Sequence, residues 1–111
     1  MNPLSSLGPL RSTYADDPDM REIVEAFVEE MPAKVADLEA AWISQQVDDV
    51  RRLAHQLKGS GGGYGFQSVS EAAAHVERTI TELGRGSSAG GIAALRQQIE
   101  HLIALCRRVS A

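Results

Sequence analysis

With 111 residues, 43% of them hydrophobic and only Trp42, Tyr14, Tyr64, Phe27 and Phe66 aromatic, the chain has room for one domain around a modest aliphatic core. A net charge of −4, with Asp16, Asp17, Asp19, Glu22, Glu25, Glu29 and Glu30 crowded near the start, excludes the basic footprint of a nucleic-acid binder. Cys106 stands alone, no positive region followed by an apolar run marks a signal peptide, and no stretch approaches the roughly 20 apolar residues that span a bilayer, so the expectation is a cytoplasmic domain with no disulfide framework and no membrane partner.

Residues 1–16 contain Pro, Ser and Gly without a steady period and read as a flexible N-terminal tail, with one domain over 17–111. Asp17-Pro18 has the form of a helix start, Asp17 as N-cap and Pro18 at the first helical position. Met20, Ile23, Val24, Phe27, Val28 and Met31 then recur at helical spacing. Pro32 removes a backbone donor and is expected to kink or break this helix. A second stretch places Val35, Leu38, Ala41 and Trp42 on one face. A third carries Val47, Val50, Leu53, Ala54 and Leu57, begins after the weak caps Gln45-Gln46 and ends in the cluster Gly61-Gly62-Gly63 and Gly65.

Ser68-Val69-Ser70-Glu71 has the form of a capping box. It opens a fourth stretch with Val69, Ala72, Ala73, Val76, Ile80 and Leu83, for which Gly84 is the stop. Ser87 or Ser88 can cap the fifth, where Ile92, Leu95, Ile99, Leu102, Cys106 and Val109 give the alternating three-and-four seam of a helix bundle. The pattern predicts an all-α fold: an antiparallel four-helix bundle with an additional N-terminal helix lying across one end. No apolar stripe is left over for a dimer, so a monomer is expected.

His55 lies off the apolar stripe of its helix and shares its face with Arg51, Lys58, Gly59 and Gly62. Each glycine inside a helix costs about 1 kcal/mol relative to alanine, so several in succession call for a reason. Close approach of a partner backbone or a phosphoryl group is one. Neutral imidazole is a nucleophile near pH 7 and can hold a phosphoryl group covalently. Lys58, one turn along, supplies positive charge to the transferring oxygens. If the third and fourth helices form a hairpin centred near residue 66, Glu77 comes level with His55. A carboxylate there can accept from Nδ1 and leave Nε2 as the nucleophile. His75 falls on the water-facing side instead.

The run Ala54-His55-Gln56-Leu57-Lys58-Gly59-Ser60-Gly61-Gly62-Gly63-Tyr64-Gly65-Phe66 resembles the signature of histidine-containing phosphotransfer (HPt) domains. Lys58, Gly59 and Gly65 match the Lys and two Gly that follow the phosphorylated His in that family. Gly62 and Phe66 are similar to the phosphotransfer domain of chemotaxis kinases, which also has a Glu at the position of Glu77. One departure is Gln45-Gln46, where many members have Gly-Asp before the His-bearing helix.

The resemblance covers roughly residues 17–110. It implies a stoichiometric phosphoryl carrier in a bacterial-type phosphorelay rather than an enzyme with turnover. His55 would be phosphorylated on Nε2, with the aspartate of a receiver domain, in a response regulator or hybrid kinase, as donor or acceptor. Arg51, Gly59 and Gly62 would border the partner surface, and no cofactor is implied.

Competing functions are a helical adaptor without chemistry and a hydrolase using His55 as general base. The glycines are not a nucleotide loop, because Lys58 precedes them and no Gly-Lys-Ser/Thr follows. His55, His75, His101 and Cys106 lack zinc spacing, so no metal is expected. Cys106 and Trp42 read as core residues.

Overall fold

Helix α1 (Arg21–Ile43) runs without interruption through Pro32. The computed structural model describes residues 8–86 and 91–111. Among these, the first two expected stretches are one helix, so the bundle has four helices and the additional N-terminal helix is absent. Energetics account for the difference. Pro32 costs about 3 kcal/mol through the lost hydrogen bond and ring clash, but it sits on the exposed face of the helix. On the opposite face Val24, Phe27, Met31, Val35 and Leu38 form one continuous buried stripe. Each such side chain contributes about 1.5–3 kcal/mol by burial, which outweighs a single proline.

Helix α1 also begins later than the Asp17-Pro18 signal implies. Asp17 Oδ1 accepts from the Asp19 N–H in a local turn at 2.9 Å, and the helix starts three residues after Pro18. At its other end Gln45 adopts φ 58°, in the left-handed region. The Gln46 N–H reaches the Ala41 carbonyl at 2.8 Å and the Gln45 N–H reaches that of Trp42 at 3.1 Å. This is a Schellman cap with glutamine in the position glycine favours.

Helix α2 (Val47–Gly63) ends inside the glycine cluster, as expected, with Gly61, Gly62 and Gly63 as its last three residues. Gly61 is buried against the next helix, where a Cβ would stand 3.1 Å from the Ser70 N and 3.3 Å from Val69 Cγ1. Gly65, at φ 86°, closes the helix with a second Schellman pair, Phe66 N–H to Gly61 O at 2.7 Å and Gly65 N–H to Gly62 O at 3.4 Å.

Helix α3 (Gln67–Gly84) therefore starts one residue before Ser68, and no side chain caps it. The expected capping box does not form. Ser70, its third member, is instead buried between helices. Gly84 is the last helical residue, and Gly86 takes the left-handed position beyond it. Any cap from Ser87 or Ser88 lies outside the described residues.

In helix α4 (Gly91–Arg108) the seam is Leu95, Ile99, Leu102 and Cys106, joined by Ile103 and Leu105. Ile92 is exposed, and Val109 has left the helix. Burial pushes the Cys106 thiol up to about 12. Trp42 is only partly buried against the core. Each helix packs on its sequence neighbours and α4 closes on α1, which is the up-and-down arrangement of a bundle. No helix among the described residues is long and apolar enough to cross a membrane.

Residues 8–16, expected to be part of a tail, are docked. Strand β1 (Leu10–Arg11) pairs in parallel with β2 (Val109–Ser110). Buried Ser12 donates to the Tyr64 carbonyl at 2.6 Å, and the Thr13 N–H to that of Gly65 at 2.9 Å. Arg108 Nε reaches the Gly8 carbonyl at 3.0 Å. This strap ties the α2–α3 turn to the C-terminal end of α4. Residues 1–7 lie outside the described residues.

Candidate functional site

Helix α2 is oriented by its buried residues Val50, Ala54, Leu57 and Gly61, which point it into the bundle. That leaves His55 on the outside, its side chain 64% exposed. Helix α3 returns alongside after the three-residue turn Tyr64–Phe66. Phe66 packs face to face with Phe27, with ring centroids 5.2 Å apart, and anchors that turn to α1. The close contact at Gly61 sets the helix spacing, and the antiparallel register then brings Glu77 level with His55.

One carboxylate joins two side chains of α2. Glu77 Oε2 lies 2.6 Å from His55 Nδ1, and Oε1 accepts from Lys58 Nζ at 2.7 Å. Glu77 is 18% exposed. The Lys58 hydrogen bond holds its carboxyl below the ordinary value of 4.5, against desolvation that would raise it, with His55 lowering it further. Glu77 is therefore ionised at neutral pH and can only accept hydrogen bonds. The imidazole nitrogen facing it must carry the proton. In neutral His55 this leaves the lone pair on Nε2, the nitrogen away from Glu77.

Of the residues singled out by sequence, His55, Lys58 and Glu77 come together. Arg51, on the same face as His55, pairs within its own helix with Asp48 at 2.9 Å. That partner was legible as an acid three residues before a base, a spacing that meets on a helix. The neighbouring pair Arg52–Asp49 repeats it. Gly59 is exposed, and a Cβ there would meet nothing within 4 Å. Gly62 is half-buried, and a Cβ there would stand 3.3 Å from Ser70 Oγ, so this glycine gives clearance to α3. His75 and His101 are exposed. No metal-binding group of His, Cys, Asp and Glu occurs among the described residues.

Sequence reasoning missed Ser70, whose hydroxyl donates to the Lys58 carbonyl at 2.6 Å. Its only signal was its place on the Ser70, Ala74, Glu77, Thr81 flank of α3.

An exposed imidazole with one nitrogen protonated and held, and a lysine one turn away, can accept an electrophilic group and offset its negative charge. The comparisons with known proteins agree with that chemistry. A family model described as Hpt domain matches residues 22–108. The chain is 33% identical over 76 residues to the chemotaxis protein CheA of Halobacterium salinarum, a match covering 61% of this chain and 11% of that protein. The chain thus spans about a tenth of the length of that relative. No solved structure gives a significant match.

Proposed function

The chain belongs to the Hpt domain family, whose members are phosphotransfer carriers of two-component signalling rather than kinases, and from that premise we propose that His55 accepts a phosphoryl group from a receiver-domain aspartyl phosphate and passes it to another. The Nε2 lone pair attacks phosphorus, the N–P bond forms and the P–O bond to the aspartate breaks. The aspartate leaves as a carboxylate. No proton has to move: Nδ1 keeps its hydrogen, and the positive charge that develops on the ring faces the Glu77 carboxylate. Lys58 neutralises part of the charge brought by the phosphoryl oxygens. Arg51, Gly59 and Gly62 border the face the receiver docks on, with Gly59 leaving room for its backbone. The carrier works in the cytoplasm as a monomer.

The observation that carries this reading is the 2.6 Å contact of Glu77 with Nδ1 of an imidazole whose side chain is 64% exposed. Incubation with a phosphorylated receiver tests it. An acid-labile, alkali-stable label is expected on the wild type and absent from His55→Gln, whose circular dichroism stays unchanged. Full labelling of His55→Gln would overturn the assignment.

A further inference from the structure

We infer that Ser70 is a positioning residue for the His55 site, holding the backbone of Lys58 in the register that lets Lys58 and His55 share Glu77. The inference rests on the phosphotransfer role proposed above. Lys58 is held twice by α3. Its side chain is bound by Glu77 at 2.7 Å, and its carbonyl accepts from Ser70 Oγ at 2.6 Å. Ser70 and Glu77 are seven residues apart, which is close to two helical turns, so both lie on one flank of α3.

The need for such a hold follows from what comes after Lys58. Gly59, Gly61, Gly62 and Gly63 make up all but one residue of the last five of α2, and glycine is the weakest helix former apart from proline. Intrinsic helix formation therefore holds this end of α2 only weakly, and contacts with the rest of the fold must supply the hold. The only other side-chain hydrogen bond along this stretch, among the described residues, is Ser60 Oγ to the Gln56 carbonyl within the same helix. It cannot set the position of α2 relative to α3. Ser70 can, because it crosses between the helices where Gly61 and Gly62 let them come close. A Cβ on Gly61 would stand 3.1 Å from the Ser70 N, and one on Gly62 3.3 Å from its Oγ. The glycines that weaken α2 are also what lets the serine reach the Lys58 carbonyl.

The test compares Ser70→Ala with Ser12→Ala. Ser12 is a matched control, since its buried hydroxyl also donates to a carbonyl at 2.6 Å, that of Tyr64 in the α2–α3 turn. Two readouts are taken on the full chain: carboxyl NMR titration of Glu77 and single-turnover transfer from a phosphorylated receiver. For Ser70→Ala the Glu77 midpoint should rise towards 4.5, as its bond to Lys58 loosens, and transfer should slow roughly tenfold. Ser12→Ala should lose comparable stability without either change. If Ser70→Ala does not fold, Ser70→Cys, a weaker donor, is read the same way. An unmoved Glu77 midpoint in the Ser70 variant, or equal slowing by both variants, overturns the inference. A wild type that accepts no phosphoryl group overturns the proposed function instead, and the Glu77 titration still decides the role of Ser70.

Discussion

Glu77 Oε2 sits 2.6 Å from His55 Nδ1 across a gap of 22 residues in sequence. Because the Lys58 hydrogen bond, aided by His55, holds the Glu77 carboxyl below its ordinary value, the interaction has a defined pH dependence. The folded-state pKa lies below the unfolded one, so the stabilisation is fully present above about pH 5 and is lost as pH falls through the folded value. Urea midpoints of wild type and Glu77→Gln should differ at neutral pH and converge in acid. A difference that did not narrow as pH falls below the ordinary carboxylate value would mean that packing, not charge, separates the two proteins. At neutral pH the same variant should slow transfer by on the order of 10–100-fold, the equivalent of one hydrogen bond to a charged group.

Gly59→Leu should leave helicity unchanged or slightly higher, since leucine is the better helix former and nothing stands within 4 Å of a Cβ at that site. Loss of receiver affinity in a titration would therefore come from bulk beside His55. Unchanged affinity would remove Gly59 from the docking surface.

Gln45 holds a left-handed backbone at φ 58°, where a residue with a Cβ is strained and glycine is not. Gln45→Gly should stabilise the domain by about 0.5–1 kcal/mol, raising Tm by a few degrees. A lowered Tm would show that the glutamine side chain contributes contacts that outweigh the strain.

Two glycines near the α2–α3 turn should respond oppositely to alanine. Gly63 is helical and open, so Gly63→Ala should be neutral or stabilise by up to about 1 kcal/mol. Gly65 has φ 86°, and a Cβ there would collide with the Ser12 hydroxyl and stand 2.7 Å from Thr13 Oγ1. Gly65→Ala should therefore destabilise by about 2 kcal/mol or more and expose the Thr13 amide to hydrogen exchange. Equal effects at the two sites would mean that residues 8–16 are not clamped to this turn.

His55 was legible because it stands off an unbroken apolar stripe inside a specific run of residues. The pairing with Glu77 was legible because a hairpin with a three-residue turn leaves little freedom of register. Pro32 misled because its cost is local while the stripe from Val24 to Leu38 that overrides it is tertiary. Ser68 and Glu71 matched a capping box by letter, yet no cap forms, and Ser70 between them makes its hydrogen bond across to α2, which no local pattern encodes. The strap of residues 8–16 left no periodic signal: it depends on a two-residue strand pair and on Ser12, 52 positions from its partner Tyr64.

The most direct test of His55 as phosphoryl carrier identifies the atom that is modified. The chain, labelled in its imidazole nitrogens, is reacted with a phosphorylated receiver domain and followed by heteronuclear NMR. The expected result is phosphorus coupled to Nε2 of His55, with Nδ1 retaining its proton. Phosphorus on Nδ1 of that ring, or on His75 or His101, would contradict it.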